Sequence, residues 1–211
     1  MFGAELFLGS DPSAGGATVT FVDAFKVGAN SSNYQPDFSG HGAAVGDLAV
    51  VTVQNGAGGA PAGWTALTSS SSSGAITKSY YKILDADDIS SPDSFTGSAT
   101  NACWACLYRG VSAVTEQQSI SMGTTNTTTV FTGFTPGPGA QKIIMIACDV
   151  DSSTLGNPNG FWTTRLANFA TLYRKYFLSE IDVSDYDDGG ITHTFTGGGS
   201  FNQAAWLLVL E

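Results

Sequence analysis

Positive charge is scarce in this chain: eight lysines and arginines stand against eighteen aspartates and glutamates in 211 residues, a formal net charge of −10. Non-specific nucleic-acid binding rests on clustered cations that displace counterions from phosphates. The densest basic pair, Arg174-Lys175, falls inside an expected strand, so nucleic acid is not an expected partner. Long apolar runs are missing too. The longest, IIMIAC at 143–148 and AAWLLVL at 204–210, have strand length. A membrane-crossing helix needs roughly 18–20 such residues, and no membrane insertion is expected. Glu5 sits where a secretory leader would be basic or apolar, so no leader is read at the N-terminus. Cysteine is rare and odd in number, three in all, which argues against a disulfide framework and for free thiols in a cytoplasm. There is no G-x-S-x-G elbow and no H-E-x-x-H, and His41 and His193 are the only histidines. Neither an enzyme nor a cofactor is expected.

What the chain does hold is glycine, 26 residues of it, and Thr, Ser, Val, Tyr and Phe in alternation. Glycine costs a helix about 1 kcal/mol relative to alanine, and alternation with β-branched and aromatic residues suits strands. Clusters such as NGAGGAPAG, SSSSSG, TPGPG, GNPNG and DDGG punctuate the apolar runs. Short strands between turn clusters predict an all-β protein, a β-sandwich of jelly-roll-like kind. Residues 163–178 are the best helix challenger, but they lack an i, i+3, i+4 stripe and read as strand.

The blocks of the first half recur in the second. GDLAVVTVQN (46–55), PAGWTAL (61–67), SYYKILDADD (79–88), SFTGSA (94–99) and ACWACLYRG (102–110) are matched in order by AQKIIMIACD (140–149), PNGFWTTRL (158–166), TLYRKYFLSEIDVSDYDD (171–188), TFTGGGS (194–200) and AAWLLVLE (204–211). Trp64 and Trp162 lie 98 apart, Phe95 and Phe195 100 apart. The chain thus divides into an N-terminal docking segment, 1–16, a first β repeat, 17–110, and a second, 111–211. Two packings suit the diverged repeats: one compact shared sandwich, which the apolar strands closing both copies favour, or a small sandwich for each. Strands are expected near 17–22, 47–54, 63–68, 75–84, 93–98 and 102–109, and near 127–133, 141–149, 161–166, 171–182, 191–197 and 203–210.

Candidate chemistry is sparse. Asp85, Asp87 and Asp88 align with Asp185, Asp187 and Asp188, with Asp182 nearby. Carboxylates on a loop are candidate calcium ligands, since calcium takes about six to eight oxygens, but the glutamate that closes an EF-hand loop is missing. Solvated turn residues are the plainer reading. Cys103 and Cys106 form a C-x-x-C, yet residues i and i+3 of a strand face opposite ways, so one metal cannot take both. All three cysteines are expected as buried thiols. Trp64 and Trp162 read as core, each indole N–H bonded to a backbone carbonyl. Tyr34, Phe38 and Tyr186 are the aromatics expected to be exposed on loops, where they could stack on sugars.

The blocks G-D-L, Pro-x-Gly-Trp-Thr, Tyr-Lys with its acidic turn, Phe-Thr and Tyr-Arg-Gly-Val resemble a recurring phage and prophage family. The resemblance covers nearly the whole chain, closely in the first repeat and loosely in the second, which has Phe161-Trp162 at its turn and ends in Leu-Glu. It implies a virion structural protein, an adhesion or structural module of the tail tip or tail fibre. A capsid decoration protein on the phage head is the alternative, and a carbohydrate-active enzyme or lectin a second. It carries no catalytic residues. It implies other virion proteins as partners, a homo-oligomer, a host surface glycan as a further ligand, and a place in the virion after assembly in the host cytoplasm. Phe2, Leu6, Phe7 and Leu8 give the first segment four large apolar groups. They are the expected interface residues, because edge strands with few lysines call for a covering partner.

Overall fold

The computed structural model describes residues 17–54, 56, 58–68, 70–72, 75–97, 102–122, 128–149, 154–155, 162–166, 175–187, 189, 191–196 and 203–211. The first segment, with Phe2, Leu6, Phe7 and Leu8, lies outside them. The first half runs β1 (Thr20–Ala29), β2 (Asn33–Tyr34), β3 (Leu48–Val53), β4 (Thr65–Ala66), β5 (Ser70–Ser72), β6 (Ala75–Ile83), β7 (Phe95–Thr96) and β8 (Ala102–Arg109). The second runs β9 (Val114–Met122), β10 (Thr128–Phe131), β11 (Lys142–Asp149), β12 (Thr154–Leu155), β13 (Thr163–Leu166), β14 (Lys175–Asp182), β15 (Ile191–Thr196) and β16 (Gln203–Leu210). Among the described residues, helix is confined to α1 (Ala86–Ser90) and two 3-10 turns, Ser39–His41 and Val183–Asp185. The protein is all-β.

Two large sheets carry the fold, one ordered β1-β8-β3-β6-β4, with β5 also on β6, the other β9-β16-β11-β14-β13. All their pairs are antiparallel. Within the first half β1 pairs with β8, β2 with β7 and β3 with β6; within the second β9 pairs with β16, β10 with β15 and β11 with β14. This nesting, first strand with last and so inward, is the winding of a jelly roll. The registers also match. Leu48 opposes Ile83 and Tyr108, as Lys142 opposes Asp182 and Leu210, and Thr65 opposes Tyr81 as Thr163 opposes Glu180. Leu84 N donates to Asp47 O, and Val183 N to Gln141 O, at the same place in each half.

The strand winding corrects one expectation. The first strand of the second half is β9, not 127–133, which instead holds β10 in the place of β2. Its sequence, VTEQQSISM, is too polar to stand out, because β9 is an edge strand with one neighbour. Likewise β1 runs on to Ala29 through Asp23 and Lys26, with register shifts between Phe21 and Asp23 and between Lys26 and Gly28.

The two sheets stack face to face. Val50, Trp104 and Tyr108 of the first share one apolar cluster with Ile144, Tyr176 and Trp206 of the second. Trp104 stacks on Tyr176 at 5.3 Å between ring centroids, and Trp206 Nε1 donates to Thr68 O at 2.8 Å. At one margin Arg165 lies over the Phe21 ring at 4.8 Å, and at the other Thr68 N donates to Glu116 Oε2 at 2.8 Å. Each sheet has a second covered face. Val51, Cys103 and Leu107 meet Phe38, Trp64 and Phe95 on one side of the molecule. Met145, Phe177 and Leu207 meet Phe131 and Trp162 on the other. This is why LAVVTV and the apolar stretch of β16 are buried on both faces and do not alternate with polar residues. The edges carry few lysines, Lys26 being one on β1, and are managed otherwise: the two register shifts bend β1, and Gln118 of β9 accepts from Thr132 N at 2.9 Å and donates to Thr132 O at 2.6 Å.

Candidate functional site

The acidic residues of the first half form a helix cap. Asp85 Oδ1 accepts from Asp87 N and Asp88 N at 2.9 and 3.0 Å, and Asp88 Oδ2 accepts from Asp85 N at 2.8 Å. Lys82 Nζ then bonds Asp88 Oδ1 at 2.6 Å and lies 3.3 Å from Asp85 Oδ2. Amide N–H groups and one ammonium thus engage the oxygens of Asp85 and Asp88, and Asp87 stands exposed on α1. The N–H of Asp88, with Lys82 beside it, holds the Asp85 carboxyl below the usual carboxylate range. In the second half Asp182 bonds Lys142 Nζ at 2.6 Å, Asp187 Oδ1 takes Gly189 N at 3.0 Å, Asp185 is exposed, and Asp188 lies outside the described residues. The aligned positions are also not equivalent. Ile83 and Asp182 match in register, 99 apart, so Ser184 and not Asp185 stands where Asp85 does. Among the described residues no three His, Cys, Asp or Glu side chains are grouped to hold a metal ion.

The other singled-out residues are placed plainly. Cys103 faces the outer cluster and Cys106 the layer between the sheets, so their thiols point apart. All three cysteines are buried and in no disulfide, and burial pushes the Cys106 thiol up to about 12. Trp64 and Trp162 are buried, but Trp64 Nε1 donates to the Asp93 carboxylate at 2.9 Å and not to a backbone carbonyl. Tyr34 and Phe38, expected to be exposed, are only 2% and 0% accessible. They fill the outer apolar layer, Phe38 stacked 6.3 Å from Trp64. Tyr186 is partly buried against Phe134, with 5.1 Å between centroids. His41 stacks flat on Phe25 at 3.5 Å, with Nδ1 2.7 Å from Asp23 Oδ2. The nearby Ser39 hydroxyl donates to Asp37 at 2.8 Å, so it makes no relay with His41.

The motif blocks meet one another. Asp47 of G-D-L is 1% exposed, and both its oxygens receive Arg109 of Tyr-Arg-Gly-Val, from Nε at 2.9 Å and Nη2 at 2.8 Å. Gly110 of the same block has φ +79°, and a Cβ there would lie 2.7 Å from Thr18 O, so the block needs glycine. Trp64 of the Pro-x-Gly-Trp-Thr turn meets Phe95 of Phe-Thr edge-on at 4.8 Å. Lys82 of Tyr-Lys holds the acidic cap. In the second half Gln141 takes the place of Asp47. It reaches into the first half, accepting from Val19 N at 2.8 Å and donating to Ala17 O at 3.0 Å.

Two features escaped the sequence. Glu180, 2% exposed, takes Arg165 at 2.7 Å and Lys142 at 3.2 Å. Burial alone would lower Lys142, but Asp182 and Glu180 outweigh it and raise the ammonium above its ordinary value. A carboxylate inside the apolar strand KYFLSEID was the available signal. The second is a pocket of about 220 Å³ beside β4 and β6, lined by residues 58–60, Ala66, Leu67, Lys78 and Tyr80. Lys78 Nζ donates to Gly58 O at 2.6 Å, and Tyr80 Oη to the same carbonyl at 3.2 Å. Burial raises the Tyr80 phenol, which keeps it a donor. Such a pocket offers an ammonium, a short open stretch of backbone and an apolar wall. Comparison of the chain with protein-family models, curated proteins and solved structures finds no match.

Proposed function

We propose that this chain is a structural protein of a bacteriophage virion, an adhesion or structural module of the tail tip or tail fibre, working among other virion proteins. The observation that carries the reading is the interlock of the motif blocks. The residues through which the chain resembles the phage family are used on one another, Asp47 on Arg109, Trp64 on Phe95 and Lys82 on Asp88. They build a scaffold out of contacts with one another. Jelly-roll winding in both halves is consistent with this, since capsid and lectin domains use it, although a fold alone names no function. The matched winding and register of the halves further support descent from one duplicated unit. Gold-labelled antibodies on intact particles test the proposal. Label on the tail is the expected result. Label spread over the head would select the decoration protein, and particles that carry no label would overturn both.

A further inference from the structure

Among the described residues, Lys82, Arg109, Lys142 and Arg165 each lie within 4.0 Å of a carboxylate, whereas Lys26 and Lys78 do not. Lys26 stands on the edge strand β1, and Lys78 lines the pocket between the 58–60 stretch and β4. The Lys78 ammonium has three N–H donors. One is fixed on Gly58 O at 2.6 Å, and Tyr80 Oη shares that carbonyl at 3.2 Å. The carbonyl thus holds the ammonium at the pocket wall with two donors left over. A charged donor is matched best by a charged acceptor, because hydrogen bonds between ions are shorter and about twice as strong as neutral ones. The open apolar wall is Ala60 and Ala66, with Leu67 and Tyr80 nearly covered at the floor, and it suits the CH face of a sugar. A volume of about 220 Å³ has room for one ring and not for a chain of them.

We propose that this pocket binds a single hexuronate unit, its carboxylate on Lys78 and its ring against Ala60 and Ala66. The net charge of −10 opposes any anion at long range. Salt near 0.15 M confines that repulsion to about 8 Å, so the local ammonium decides. The inference is independent of the virion reading, which the particle labelling decides by itself.

The test is a titration of the full chain with glucuronate at about 0.15 M salt, followed by backbone amide shifts, with glucose and acetate as controls. Glucuronate should move the amides of Gly58, Gly59 and Leu67 and saturate in the millimolar range, with both controls at least about tenfold weaker. Lys78→Met should weaken glucuronate at least about tenfold and leave glucose unchanged, and Lys78→Arg should restore part of the loss. Absence of shifts at the pocket up to roughly 100 mM overturns the proposal. So does glucose or acetate binding as tightly as glucuronate. The wild-type titration decides between these outcomes even if Lys78→Met fails to fold.

Discussion

Asp47 has almost no access to water, so its charge depends on Arg109, 62 residues further along the chain. Removing the guanidinium leaves a carboxylate buried without its cation. Because Arg109 is itself half exposed, solvent tempers the loss, and Arg109→Ala should lower stability without unfolding the protein. Arg109→Lys should recover only part of it, since lysine cannot donate as a two-pronged fork. Urea unfolding midpoints of the two variants check both statements. The cysteines make a second prediction at this scale. Only a thiolate reacts, and burial pushes the Cys106 thiol to about 12 and that of Cys103 well above its usual value. A thiol reagent at about pH 8 should therefore leave native protein unlabelled and label the three cysteines after unfolding in urea. Rapid labelling of native protein would contradict the burial.

At the scale of elements, α1 depends on one residue. Its five residues are too few to be stable alone, and Asp85 satisfies two of its free N–H groups. The folded Asp85 carboxyl titrates below its ordinary 3.8. A lowered carboxyl contributes stability above its unfolded value, and the contribution is lost as pH falls through the folded one. Protection of the Asp87 and Asp88 amides, taken relative to each amide's own intrinsic rate at that pH, should thus be high at neutral pH and fall on acidification below about 3.8, whereas Asp85→Ala should lack it at both. The sequence held this signal, an aspartate followed three residues later by another before Ile89, in the pattern of a capping box. Most strands were legible, because a run such as IIMIAC can hardly be anything else. β9 was missed because an edge strand need not be apolar, and β2, β5 and β12 because two or three residues show no period.

For the molecule as a whole, the shared layer between the sheets makes the halves interdependent. Trp104, Tyr176 and Trp206 belong to one cluster drawn from both. Trp206→Ala should cost about 3–5 kcal/mol, by loss of packing and of the bond to Thr68. Circular dichroism and tryptophan fluorescence should follow a single urea transition. Two separated transitions would mean that the halves are separable domains. Deleting residues 1–9 should leave this sandwich folded and abolish its incorporation into particles. Normal incorporation, or an unfolded product, would remove the docking role of Phe2, Leu6, Phe7 and Leu8.

Composition and local period, which depend only on near neighbours, settled the β class, the central strands and the matching block order of the halves. They also settled the opposite facing of Cys103 and Cys106, since a strand repeats every two residues. Which strand pairs with which, and what covers each face, depended on contacts between residues far apart in sequence, and only the folded chain decided those. Tyr34 and Phe38 sit on loop-like sequence yet became core because the outer face of the first sheet needed covering. The acidic residues of the two halves look alike in a line of text, yet Asp85 found a helix, Asp182 a lysine and Asp187 a glycine amide. A charge carries no mark of its partner in the sequence, and the partner is set by whichever opposite group the winding brings within reach.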